Sequence, residues 1–158
     1  MSKIKKLNAM RKESGLTLLE LLAIVVILGI LASLAIPLYI AYEESALMQK
    51  TNFHYREAVK TVSRGYVEDR ISLAYGTDPV KPQDTAGWIA LFSQGNPLAP
   101  GGGPAFIDSE VGSSATGAIG VTMDEDVVTL VRPPYIELTE HRAIISGSDV
   151  TYIPPLES

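Results

Sequence analysis

From Leu21 to Tyr42 the chain runs for 22 residues with 19 apolar side chains and no charge. As a helix this stretch rises about 33 Å, enough to cross a hydrocarbon core of about 30 Å. The remainder of the chain is close to 40% apolar. Two materials are therefore joined end to end, and 158 residues leave room for one modest domain beside the apolar run. A large multidomain enzyme is excluded. So are disulfides, thiolate metal sites and cysteine nucleophiles, because the sequence has no cysteine.

Charge is divided as unevenly as hydropathy. Residues 1–15 hold Lys3, Lys5, Lys6, Arg11 and Lys12 against Glu13, a net +4, and the remaining 143 residues carry about −9. A basic flank resists translocation, so the expected orientation is N-in, C-out, with everything after Tyr42 across the membrane. The apolar run exceeds the 7–15 residues usual in a cleaved secretory signal, and Pro37-Leu38-Tyr39-Ile40-Ala41-Tyr42 continues it without a small-x-small cleavage site. The span is expected to be retained. Glu20 precedes the uncharged run by one residue, where an ionised carboxylate costs about 2.5–3.5 kcal/mol if it enters the bilayer core. Two readings follow: Glu20 marks the headgroup boundary, or it pairs with a positive charge at its own depth. A new α-amino group made by cutting after Gly15 would supply that charge, more naturally between axially staggered neighbours than within one chain.

The basic leader, Gly15, Leu16-Thr17-Leu18-Leu19-Glu20 and an apolar helix containing Gly29 and Pro37 resemble the leader and N-terminal helix of type IV prepilins and type II secretion pseudopilins. The resemblance covers residues 11–42. It implies cleavage after Gly15 by a membrane prepilin peptidase, which also methylates the new terminus at Leu16. It further implies an assembly role for Glu20, meeting a neighbouring subunit's N-terminus, and local melting of the helix between Gly29 and Pro37 in a filament. Leu16 stands where the family most often has Phe. The implied partners are further copies in a helical filament, the pilus or type II secretion assembly machinery, and the inner membrane. The precursor is then a single-pass inner-membrane protein and the mature form part of an extracellular or periplasmic filament.

Past Tyr42, Leu47, Thr51, Tyr55, Ala58, Val59, Val62 and Tyr66 recur at intervals of three or four, with charges largely elsewhere, so one helix face is to be buried. Gly76, Asp78, Pro79 and Pro82 end the pattern at about Tyr75. Residues 76–158 hold nine of the ten prolines and ten of the thirteen glycines, a shift to loops and strands. The expected organisation is a leader (1–15), a transmembrane and filament-core helix (16–42), its amphipathic half (43–75) and a loop-rich antiparallel β head (76–158). Ala86–Phe92 reads as a short helix or turn sealing the core with Trp88, Leu91 and Phe92. Strands are expected at Ala118–Met123, Val127–Arg132 and Arg142–Ser146, with weaker edge candidates at Pro134–Leu138 and Val150–Ile153. The fold class is α+β: a long N-terminal helix packed on a small antiparallel sheet, the lollipop outline of pilins.

The head offers little chemistry. Gly101–Gly103 lacks the Lys-Ser/Thr of a phosphate loop and reads as a plain loop. Asp124, Glu125 and Asp126 are a weak calcium candidate, of the kind some pseudopilins use, with a charged hairpin turn as the competing reading. His54 and His141 have no partner at zinc-site spacing, and no catalytic constellation is present. No cofactor is implied. An acidic mature chain disfavours nucleic-acid binding by its bulk, and Arg132 with Arg142 is too little for a basic tip. The function expected is that of a structural subunit of a type IV pilus-like filament. Its alternatives are a type II secretion pseudopilin, serving as a periplasmic piston, and a single-span membrane protein that never polymerises and whose head binds a partner.

Overall fold

The computed structural model describes residues 16–154. They divide into two compact units, one ending at Ile40 and the other starting at Ala41. The expected leader, with Gly15 at its end, lies outside the described residues.

One α-helix, α1 (Leu18–Ala74), supplies the first unit and enters the second. Within the first unit every residue from Leu16 to Ile40 is exposed, including all the Leu, Ile and Val side chains. None of the described residues covers this apolar surface. It is the one stretch among the described residues that is long and apolar enough to cross a membrane, by length and composition.

In the second unit α1 turns a single face inward: Thr51, His54, Tyr55, Ala58, Val59, Val62, Tyr66 and Asp69 are buried, at the three-and-four spacing expected from the sequence. Gly76, at a left-handed φ of 72°, ends the helix. Its N–H bonds the Leu73 carbonyl at 3.0 Å and the Thr77 N–H bonds that of Ser72 at 3.0 Å, which satisfies two carbonyls the helix end would leave bare. The chain then folds back on α1. Buried Asp69 accepts hydrogen bonds from the N–H groups of Val80 (2.9 Å) and Lys81 (3.3 Å). A second helix, α2 (Thr85–Phe92), starts at Asp84, whose carboxylate accepts from the Gly87 N–H at 2.7 Å. It carries Trp88 and Phe92 into the core with their rings stacked at 5.8 Å.

Five strands follow: β1 (Phe106–Asp108), β2 (Ile119–Asp124), β3 (Val127–Arg132), β4 (His141–Ser146) and β5 (Asp149–Ile153). They lie in the sheet in chain order. Val128, Leu130, Ala143 and Ile145 alternate inward along β3 and β4 to meet Trp88 and Tyr66 in one core cluster. The outer strand β5 is mostly exposed and is followed by Pro154, which has no N–H to extend the edge.

The sheet departs from the sequence reading twice. It is mixed rather than wholly antiparallel, because β1 pairs parallel with β2, Phe106 opposite Ile119. The connection returns tightly: a Cβ on Gly120 would lie 2.4 Å from the Ser109 carbonyl oxygen, so only glycine fits there. Pro134–Leu138 is no strand. Tyr135 and Leu138 exchange both backbone hydrogen bonds, at 3.2 and 2.9 Å, around a tight turn with Ile136 at φ 56°. Two successive prolines, Pro133 and Pro134, remove the donors a ladder would need.

Candidate functional site

The start of α1 is built by two side chains. Thr17 stands before the first helical residue; its N–H and its hydroxyl both donate to Glu20 Oε2 at 2.9 Å, while the Glu20 N–H donates to Thr17 Oγ1 at 3.2 Å. This is a capping box, in which the two residues satisfy each other's otherwise bare N–H groups. The Leu21 N–H closes the turn on the Thr17 carbonyl at 3.1 Å. Glu20 is thus held by its own helix: its carboxylate sits at the helix N-terminus, where negative charge is favoured. Only Oε2 is used; Oε1 takes no hydrogen bond among the described residues. Chemically, that leaves one lone-pair face of an oriented carboxylate for an outside donor. Thr17 is a functional residue not singled out above, although Thr17-Leu18-Leu19-Glu20 carries the S/T-x-x-E signal in plain view.

Leu16 precedes the helix and is 68% exposed, whereas Gly15 lies outside the described residues. Gly29 and Pro37 both lie within α1, which continues without interruption through them. Proline contributes no N–H, so the Ser33 carbonyl one turn earlier loses its usual donor. A Cβ on Gly29 would meet nothing within 4 Å among the described residues, so none of them demands glycine there.

In the head, the acidic triplet forms the β2–β3 hairpin. Asp124 pairs with Val127 in the ladder and Glu125 takes a left-handed φ of 51°. Among the described residues no group of three His, Asp or Glu side chains is placed to hold a metal. Asp126 is engaged elsewhere: its Oδ1 lies 2.8 Å from Lys81 Nζ, and its carbonyl accepts from the Tyr66 hydroxyl at 2.5 Å. Lys81 itself is sheltered, with its ammonium 5.2 Å from the centre of the Tyr66 ring. Burial, with the Asp126 and Asp69 charges adding to it, pushes the Tyr66 hydroxyl up to about 12. Through Asp126 the acidic turn fastens sheet to helix.

The histidines are structural as placed. His54 is buried against Phe106, with ring centres 5.9 Å apart, and burial followed by the nearby Lys50 charge lowers its pKa. His141 Nδ1 lies 3.3 Å from the Tyr55 hydroxyl, and its pKa is lowered by burial and then by Arg132.

The N-terminal segment is also where comparison with known proteins succeeds. The family model for the prokaryotic N-terminal methylation motif matches residues 10–36. Type II secretion system core protein G of Vibrio cholerae serotype O1 is 50% identical over 44 residues, 28% of this chain. That stretch is 30% of the relative's own length, so the likeness does not extend over the relative's whole chain. No solved structure matches this chain. A methylation motif, a capped glutamate in the first turn, an exposed apolar helix and an α+β head together make the chain similar to type IV pilins and type II secretion pseudopilins, a likeness that the comparisons support over its N-terminal methylation motif and over 44 residues of one secretion protein.

Proposed function

We propose that this chain is the structural subunit of a type IV pilus-like filament, cleaved after Gly15, N-methylated at Leu16 and polymerised through the apolar part of α1. The observation that carries the reading is the fully exposed face of residues 16–40, headed by a carboxylate with one free oxygen. Such a surface is stable in a bilayer or against copies of itself, and a carboxylate oriented by Thr17 favours a neighbour's terminal ammonium over random polar contacts. In this reading the precursor sits N-in, C-out in the inner membrane, the prepilin peptidase supplies the mature terminus, and an assembly machine extracts the subunit. Gly29 and Pro37 mark the stretch whose hydrogen bonding yields on packing. The domain limits at 15, 42 and 75 belong to the same proposal.

The similarity to a secretion system core protein favours a second reading, a pseudopilin that builds a short periplasmic fibre. Mass spectrometry of the N-terminal peptide in sheared surface filaments and in washed membranes separates the cases. A methylated peptide starting at Leu16 and abundant in sheared fibres is expected; the same peptide confined to membranes would replace the pilus with the pseudopilus. A chain still starting at Met1 in both fractions would refute processing and leave a single-span membrane protein.

A further inference from the structure

The head carries two charged features that nothing in its own fold completes. The first is a cleft of about 710 Å³ between α1 and one end of the sheet, lined by Asn52, Tyr55, Arg56, Lys60, Arg132 and His141, with no carboxylate on its walls. Arg132 forms its floor: it donates to Asn52 Oδ1 and, at 2.8 Å, to the Thr139 carbonyl, with its guanidinium 5.9 Å from the Tyr55 ring centre. Arg56 is exposed at the rim and makes no ion pair among the described residues, and Lys60 has only a loose 3.7 Å approach to Glu57. Gathering three cations here is unusual for this chain, which holds eight basic residues against seventeen acidic ones after Gly15. The second feature is the hairpin tip Asp124-Glu125, exposed and without an ion pair among the described residues, since only Asp126 meets Lys81.

These features lie at opposite ends of one domain. Strand β3 starts beside the tip at Val127 and ends in the cleft at Arg132. On α1, Tyr55 lines the cleft and Tyr66 bonds Asp126, eleven residues and about 16 Å further along the helix. A tip cannot reach the cleft of its own chain. It can reach that of another copy, and because tip and cleft lie at opposite ends, heads stacked in the same direction repeat this contact head to tail, leaving a tip and a cleft open at the two ends.

We infer that the cationic cleft receives the Asp124-Glu125 tip of a second copy, making a repeating axial contact between heads. The inference rests on the polymer proposed above and adds a contact outside the apolar helix. Oxyanions of Asp124 and Glu125 meet Arg56 and Lys60 at the rim, and Arg132, already fixed by Asn52 and Thr139, offers a pre-set fork at the floor.

The chain lacks cysteine, so a Lys60→Cys, Glu125→Cys variant of the full chain, expressed in the native cells, gives a clean readout. Oxidised and run without reductant, it should give a ladder of trimers and higher multimers, while either single variant stops at the dimer. Adding Arg56→Glu should slow ladder formation at least fivefold, and Arg56→Glu together with Asp124→Lys should restore it. Unchanged Trp88 fluorescence checks that each head is folded. A lysine-reactive cross-linker on wild-type fractions reports polymer independently. Polymer in wild type with no disulfide ladder in the variant overturns the contact alone, as does a ladder indifferent to both charge changes. Absence of polymer in wild type overturns the filament reading and this inference together.

Discussion

Replacing Gly65 by alanine sets two effects of known size against each other. In an exposed helix interior the change stabilises by about 1 kcal/mol, because glycine surrenders more backbone freedom than alanine. Gly65, however, lies under the indole of Trp88, and a Cβ there would stand 2.7 Å from Cη2 and 3.4 Å from Cζ3. Carbon atoms prefer about 3.5–4.0 Å, so ring or helix must retreat by about 1 Å. Trp88 has nowhere to go: it is fully buried, stacked on Phe92 at 5.8 Å and against Tyr66 at 6.3 Å. Overpacking of this kind costs about 1–3 kcal/mol, and a rigid ring as the obstacle argues for the upper half of that range. The net expectation is destabilisation by about 1–2 kcal/mol, a fall in Tm of about 4–8 °C for a head of this size. The assay is thermal unfolding of the mature chain in detergent, followed by near-UV circular dichroism of Trp88, the single tryptophan, which reports the head without interference from the apolar helix. A Tm equal to or above wild type would refute the reasoning, since it would mean that propensity outweighs the clash.

Thr17→Ala removes the partner of Glu20 and should destabilise the first turn of α1 by about 1 kcal/mol, read as faster amide exchange at residues 18–21 with the head unchanged. Asp69→Ala leaves the Val80 and Lys81 N–H groups without their charged acceptor; a loss of about 2–3 kcal/mol is expected, with amide protection falling first at those two residues. Pro37→Ala restores a donor to the Ser33 carbonyl, so amide exchange around residues 33–37 should slow in micelles, and any filament should stretch less under load. Acidification acts through His54 and His141: burial lowers both pKa values below the ordinary 6.5, so the unfolded chain binds these protons more readily than the folded one. The corresponding stability is complete above about pH 6.5 and is lost as pH falls below it. His54→Leu should reduce the fall of the denaturation midpoint below pH 6.5, leaving the part due to His141; a midpoint with the wild-type slope would remove His54 as a cause.

What could be read in the sequence was what repeats locally. The inward face of α1 follows a 3.6-residue period from Thr51 to Tyr66, and β3 lies where alternation and turn residues put it, at Val127–Arg132. The capping box was equally legible from Thr17 and Glu20. Strand β1 was not, because three residues show no period and its parallel partner lies beyond a ten-residue excursion. Tyr135 and Ile136 have strand-forming side chains, but the missing donors of Pro133 and Pro134 decide their fate. Arg132 looks isolated along the chain, and only the packing of sheet on helix brings it beside Arg56 and Lys60.

The reciprocal bonding of Thr17 and Glu20 makes the front of the helix partly self-sufficient. A helix end normally needs water, headgroups or a partner to occupy its bare N–H groups, and that need fixes the depth at which it can rest. Here the carboxylate and the hydroxyl travel with the backbone they serve, so the end carries part of its own solvation wherever it goes. Sliding this segment along the bilayer normal, or from lipid into a bundle of like helices, exposes fewer bare groups at intermediate positions. In the proposed filament the barrier to such a transfer is lowered, because the Thr17–Glu20 bonds persist while the free Oε1 meets a neighbour's ammonium.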